Sequence, residues 1–410
     1  MARIVFVPFP EAGHLYASFK LARQLSSCGH DIWYLGIEDF KEPVCRQEFK
    51  FRPIFSESIP KGFLAQQASG NTEPFEAILS AAQGDGERSD LLPEFAKVFG
   101  GIRPGLAVVD LLLGKAALLS KRCGIATVLL NTQFYDPWED VRKAADYEAL
   151  RDIPELVLCP LELDFPRSQL RDNCHYVEAS IDEDRKDISF PWQCLDPGKQ
   201  LIYCSLGSQS HLIHNGHKLL QRVIEAVSER AGWQLVLTTG ARWSAQDLET
   251  TGCGGSIFVN RAPQLEILKR TWIAITHGGF NSVKECIFHG VPMVVCPLIR
   301  DHPAVAARVL HHGLGVRVNV HTISVESVKT ALDEIDTNPL FHVRAGRMQR
   351  LFRERERAGD AVRIVLSILD SNELANLNRM PKQDYTAAAN ETITCEHGRQ
   401  SCSSIPGKLS

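Results

Sequence analysis

No stretch of about 18 consecutive apolar residues occurs in this chain, so no membrane-spanning helix is predicted. The apolar opening at residues 1–10 is interrupted by Glu11, and no small-residue cleavage pattern follows. It reads as a core strand rather than a signal peptide. Positive charge is not in excess. Lys and Arg number 45 against 49 Asp and Glu, a net charge of −4, which predicts no general attraction to nucleic acid or anionic lipid. The 12 cysteines are scattered with no C-x-x-C pair, which argues against a zinc site or a disulfide framework. Cys159, Cys204 and Cys296 lie inside apolar runs and read as buried, reduced thiols of a cytoplasmic protein. No internal sequence repeat is evident. What remains is 44% apolar and 23% charged, the profile of a soluble globular protein. At roughly 100–200 residues per domain, a chain of 410 residues suggests two domains.

Continuous β-rich runs alternate with helical stretches, the pattern of parallel sheets covered on both faces. Strands are predicted at 4–9, 31–35, 106–109 and 126–130, with helices at 15–28 and 115–122. A break follows at 178–199, carrying Asp-Glu-Asp-Arg-Lys-Asp and then turn residues. The pattern restarts with strands at 201–205, 234–237, 257–259, 272–276 and 292–296. The expected fold is α/β: two Rossmann-like, doubly wound domains at 1–180 and 200–370, joined by a linker at 181–199 and facing across a cleft. Residues 324–369 read as helical, with the Arg- and Glu-dense run 347–357 a solvated face. The last helix is expected to pack back on the first domain, and 371–410 to form a disordered tail.

The segment His277-Gly278-Gly279-Phe280-Asn281-Ser282 follows a predicted strand and opens a helix. Free backbone N–H groups and the helix dipole at such a start attract phosphate. Gly278 and Gly279 allow close approach to the backbone. Asn281, Ser282 and His277 add polar donors. Residue by residue, plainer readings stay open: Ser282-Val283-Lys284-Glu285 matches a capping box, and Asn281 could be an ordinary cap. A second glycine turn, Leu206-Gly207-Ser208, also ends a strand, where open α/β sheets bind ligands. Neither turn matches G-x-G-x-x-G or the P-loop, which counts against dehydrogenase and P-loop chemistry.

Ser205-Leu206-Gly207-Ser208, Ala262-Pro263-Gln264, His277 to Ser282, Glu285 and Asp301, in that order, resemble the donor half of GT-B glycosyltransferases of the UDP-glucosyltransferase family. The likeness covers about residues 1–370. Leu163-Asp164-Phe165-Pro166-Arg167 and Ser189-Phe190-Pro191-Trp192 resemble the bacterial zeaxanthin and macrolide glycosyltransferase branches. The resemblance implies an inverting hexosyltransferase using a UDP-sugar or dTDP-sugar, UDP-glucose foremost, and a small hydrophobic hydroxylated acceptor. It implies no cofactor and no metal. Ser208, His277, Asn281 and Ser282 would hold the diphosphate, beside Gly207, with Gly279 giving backbone access. Glu285 would accept from the ribose hydroxyls, Gln264 would sit near the ribose, Ala262 would read the base edge, and Asp301 would bind the donor sugar. Two positions depart from the pattern. Arg261 stands where many relatives have an aromatic residue, and its planar guanidinium would stack on the base instead. His302 stands where many have Gln, which puts the identity of the sugar in question.

His14 follows the first strand, and Asp110 ends the strand predicted at 106–109. A histidine suits proton abstraction near neutral pH, and a carboxylate would hold its tautomer. The residues alone equally allow His14 as a core or helix-start histidine and Asp110 as a helix cap. The resemblance implies the dyad, because its members carry base and aspartate at these places. Asp136, Trp138 and Asp140 are candidate acceptor-pocket residues, and the region 131–154 is short for the family. His211, His214 and His217 read as polar surface rather than a metal site. A sugar-nucleotide epimerase or hydrolase, or a non-enzymatic donor-binding partner of another transferase, are the competing readings.

Overall fold

The computed structural model describes residues 1–54, 56, 59, 61–64, 91–134, 148–166, 171–207, 216–240, 243, 248 and 255–379. Two parallel sheets organise it. The first has seven strands: β1 (Arg3–Val7), β2 (Asp31–Gly36), β3 (Lys50–Pro53), β4 (Leu106–Asp110), β5 (Ala126–Asn131), β6 (Glu155–Val157) and β7 (Cys174–Tyr176), in the order β3-β2-β1-β4-β5-β6-β7. The second has six: β8 (Gln200–Ser205), β9 (Trp233–Thr238), β10 (Ile257–Val259), β11 (Thr271–Thr276), β12 (Met293–Val295) and β13 (Gly315–Arg317), in the order β10-β9-β8-β11-β12-β13. Every strand pairing is parallel. The central strands read as unbroken apolar runs because both faces are covered: Ile4, Val5, Phe6 and Val7 of β1 are all buried.

Each sheet reverses its winding once. In the first, the chain runs outward from β1 to β3 and then returns to place β4 on the other side of β1. In the second, it runs from β8 to β10 and returns to place β11 beside β8. A crevice opens where neighbouring loops leave a sheet in opposite directions, so the C-terminal ends of β1 and β4, and of β8 and β11, are the natural ligand positions.

Four strands lie outside the sequence prediction: β3, β6, β7 and β13. Three of these span only three residues, and β3 is an edge strand that alternates charged and apolar residues, so none presents a sustained run. The helical region after 324 resolves into Val325–Thr337, Leu340–Ala358 and Asp360–Arg379. Pro339 caps the second, and Gly359 at φ 62° separates it from the third. The third runs to Arg379, past Ser371, where the sequence suggested that order ends. Residues 380–410 lie outside the described set. Ala361, Val365 and Leu369 of this helix are buried in the core of the first sheet. Conversely, Val157, Cys159, Leu163, Ala179, Ile181 and Phe190 join the core of the second half. Within the arginine-rich run, Glu356 turns inward, accepting from Lys20 Nζ and from the Ile181 backbone N–H. Among the described residues, no helix is long and apolar enough to cross a membrane.

Candidate active site

After β1 the chain turns through Phe9 and enters the helix Ala12–Ser27, which carries His14 in its first turn. His14 Nδ1 lies 2.7 Å from Asp110 Oδ2, at the end of the adjacent strand β4. It also lies 2.8 Å from Thr132 Oγ1, one residue beyond β5. The other carboxylate oxygen of Asp110 accepts the Leu112 N–H at 3.0 Å, so Asp110 caps the turn after β4 and holds His14 at the same time. Burial disfavours the charged form of His14. The charge and hydrogen bond of Asp110, aided by Glu11 and Asp301, outweigh that cost, and the pKa lies above the ordinary histidine value. With Nδ1 engaged, Nε2 is the ring nitrogen available to a substrate.

On the second sheet, β8 leads to Leu206 and Gly207, and β11 leads to His277. Gly207, at φ 74°, and Gly279 enclose the His277 ring, and a Cβ on either would collide with it. Burial lowers the pKa of His277 to about 4, so the ring is neutral at physiological pH and offers a hydrogen bond rather than a charge. The His302 ring packs edge-on against it at 4.7 Å, and His302 Nδ1 accepts the Ile299 N–H at 3.3 Å. Burial foremost, with help from His277 and Arg300, lowers the pKa of His302 to about 3.

The helix Phe280–His289 begins within the expected segment, with Gly279 as its N-cap and no side chain capping it. The capping-box reading of Ser282 and Glu285 is therefore not realised. Gln264 instead reaches Ser282 Oγ at 3.4 Å, donates to Glu285 Oε2, and accepts from the Tyr203 hydroxyl at 3.1 Å. Glu285 also faces Arg185 of the linker, Nη1 to Oε1 at 3.5 Å. Asn281 Nδ2 donates to the Gly13 carbonyl at 2.9 Å, tying this helix to the one that bears His14. Asp301 is the N-cap residue of the helix His302–His311, but its side chain makes no capping hydrogen bond. Burial raises its pKa, while its own backbone N–H, the His14 charge and the Phe134 N–H oppose the rise. Arg300 Nη1 meets Glu11 Oε1 at 2.6 Å. Arg261 is exposed and donates to the Tyr16 hydroxyl at 3.0 Å, and Ala262 beside it is half-buried.

The structure thus gathers His14, Asp110, Gly207, Arg261, Ala262, Gln264, His277, Gly279, Asn281, Ser282, Glu285, Asp301 and His302 along the facing ends of the two sheets. Ser208, Asp136, Trp138, Asp140, His211 and His214 lie outside the described residues, and His217 is exposed. Among the described residues, no group of three His, Cys, Asp or Glu side chains could hold a metal ion. Thr132, Tyr16, Glu11, Arg185 and Arg300 were not singled out from the sequence. Thr132 was findable, since it directly follows a strand next to the one carrying Asp110. Arg185 sits in a charged run that reads as solvated, and nothing local marks it.

Two doubly wound sheets with their switch points opposed define the GT-B architecture. The model of the UDP-glucoronosyl and UDP-glucosyl transferase family matches residues 150–358, and the chain belongs to this family of hexosyltransferases. It is 24% identical to the NDP-glycosyltransferase YjiC of Bacillus subtilis (strain 168), over 89% of this chain and 96% of the relative. It is 22% identical to the zeaxanthin glucosyltransferase of Pantoea ananas, over 86% and 93%. The glycosyltransferase VinC in complex with dTDP superposes with a TM-score of 0.66 at 16% identity, over 90% of this chain and 100% of that one.

Proposed function

We propose that this enzyme moves glucose from UDP-glucose to a hydroxyl of a small hydrophobic acceptor with inversion at the anomeric carbon. The observation that carries the reading is the His14–Asp110 contact at the mouth of the first sheet, opposite the glycine-walled His277 turn of the second. His14 Nε2 takes the acceptor's proton, while the Nδ1–H stays with Asp110. The acceptor oxygen forms its bond to the anomeric carbon as the bond to the β-phosphate oxygen breaks. An α-linked donor then gives a β-linked product and free UDP. The backbone N–H groups opening the helix Phe280–His289 and the neutral His277 ring stabilise the departing diphosphate, with Ser208, Asn281 and Ser282 alongside. This charge stabilisation takes the place of a metal. Glu285 and Gln264 hold the ribose, Arg261 and Ala262 the base, and Asp301 with His302 the sugar. Residues 1–180 form the acceptor-binding half and 200–370 the donor-binding half, and the enzyme acts in the cytoplasm on natural-product-like alcohols and phenols.

The test is incubation with UDP-glucose or dTDP-glucose and a panel of phenols, flavonoids, macrolides and hydroxylated carotenoids. Products are read by mass spectrometry and NMR. A β-linked hexose adduct that disappears in His14→Ala is the expected result. Near-normal transfer by His14→Ala would overturn the assignment of the base, and free hexose or an isomerised donor would overturn the transferase reading. The raised pKa of His14 places the acidic limb of the rate profile above about pH 6.5, because the base must be neutral to accept a proton.

A further inference from the structure

We propose that Thr132 is a positioning residue of the base, sharing the Nδ1–H of His14 with Asp110 and so keeping the Nε2 lone pair in the cleft. The inference rests on the reading of His14 as the base. Asp110 Oδ2 at 2.7 Å and Thr132 Oγ1 at 2.8 Å both address Nδ1. A ring nitrogen has one in-plane site, filled by either a proton or a lone pair. With the proton there, both oxygens accept from it in a three-centre bond. With a lone pair there, Thr132 could donate into it, but the Asp110 carboxylate would stand against a second lone pair at 2.7 Å. The protonated Nδ1 is therefore the arrangement that satisfies both neighbours, and it makes Nε2 the basic nitrogen.

The placement of Thr132 follows from the sheet. Asp110 in β4 pairs with Leu130 in β5, and Thr132 stands two residues further along the chain. It is buried at 3% exposure, and its β-branch restricts χ1, so its hydroxyl is held in one direction. Asp110 is itself anchored through Leu112 N–H, which leaves rotation of the imidazole about the Asp110 contact as the remaining freedom. Thr132 restricts that freedom, and the Phe9 ring packs beside the imidazole, 5.3 Å away and tilted by 52°. The charged groups acting on His14 besides Asp110 are Glu11 and Asp301, and neither touches Nδ1.

The experiment uses the full chain with Thr132→Val, Thr132→Ser, Thr132→Ala and His14→Ala. Nitrogen-15 NMR reads the tautomer and titration of the His14 imidazole without needing an acceptor. The wild type and the Ser variant are expected to hold the neutral ring with its proton on Nδ1. The Val and Ala variants should keep that tautomer, because Asp110 still faces Nδ1, but show a lower pKa and a more mobile ring, since one acceptor for the charged ring is gone. With UDP-glucose and a 4-alkylphenol acceptor, whose hydroxyl stays protonated near neutral pH, kcat should fall about tenfold in Val and Ala, with donor KM within about twofold and recovery in Ser. An unchanged titration of His14 in Thr132→Val would overturn the proposal, whatever its effect on rate. A raised donor KM at unchanged kcat would also overturn it, because the hydroxyl would then be a donor contact. Loss of turnover in His14→Ala with a wild-type Thr132→Val sinks this inference alone, whereas an active His14→Ala sinks the base reading beneath it.

Discussion

His14, His277 and His302 share the cleft, and their surroundings push them in opposite directions. His14 is buried beside a carboxylate and is raised, whereas His277 and His302 are buried against each other without one and fall to about 4 and about 3. The consequence for stability has a definite sign. In the unfolded chain each has a pKa of about 6.5, so below that pH the unfolded state binds more protons at residues 277 and 302 than the folded state does. Folding stability from these two is lost as the pH falls from about 6.5 through their folded values. His14 works the other way: its stabilisation is present below about 6.5 and is lost as the pH rises through its raised folded value. A fully titrating group contributes about 1.4 kcal/mol per pH unit. His302→Gln should therefore flatten the acid slope of unfolding free energy by about 1 kcal/mol per unit between roughly pH 6 and 4. Urea unfolding across that range checks it, and an unchanged slope would show that His302 titrates normally in the folded protein. His14, Asp110 and His277 were legible in the sequence as residue types at strand ends. The direction of each shift was not, because it depends on which groups from distant segments surround the ring.

At the scale of elements, the two glycine turns of the second sheet act as one device. Gly207 follows β8 by two residues, Gly279 caps the helix after β11, and the His277 ring lies between them. Gly207→Ala adds a Cβ at φ 74° into that ring, so it strains the turn and displaces His277 together. UDP affinity measured by calorimetry should fall at least about tenfold, while the far-ultraviolet dichroism of the sheets is retained. Asn281→Asp separates helix stability from function. A carboxylate in the first turn suits the helix dipole, which offsets part of the loss of the Gly13 contact, so unfolding free energy should fall by no more than about 1–2 kcal/mol. The new charge faces the Gly13 carbonyl and any incoming diphosphate, so UDP affinity should drop. Retained affinity in that variant would show that Asn281 serves only the contact between the halves. The strand-turn-helix pattern was readable because β1, β8 and β11 are continuous apolar runs bounded by Gly or Pro. Starts and ends moved by a residue or two, since hydrogen bonding to a neighbouring strand, rather than apolar character, sets where a strand stops.

At the scale of the whole molecule, the chain crosses between its halves twice, once through the linker and once into the last helix. Carboxylates bind the two crossings together. Glu178 accepts the Ala361 N–H at 3.0 Å, Glu356 accepts the Ile181 N–H at 3.1 Å, and Arg23 grips Asp182 with bonds of 3.2 and 3.0 Å. Lys284, buried in the second half, donates to the carbonyls of Leu158 and Ala179 at 2.9 and 3.0 Å. Leu369 is 2% exposed in the core of the first sheet, so Leu369→Ala should cost about 2–5 kcal/mol in urea unfolding. A cost under about 0.5 kcal/mol would mean that the last helix does not stabilise the first half. By itself the sequence determined the two α/β halves, the strands that lead to the cleft, and the residue types at their ends, because periodicity and turn chemistry are local properties. Only the tertiary structure decided that Thr132 joins Asp110 at His14, that Arg185 faces Glu285, and that Asn281 reaches Gly13. Those contacts join residues about a hundred or more positions apart, and their geometry depends on how the sheets wind and face each other.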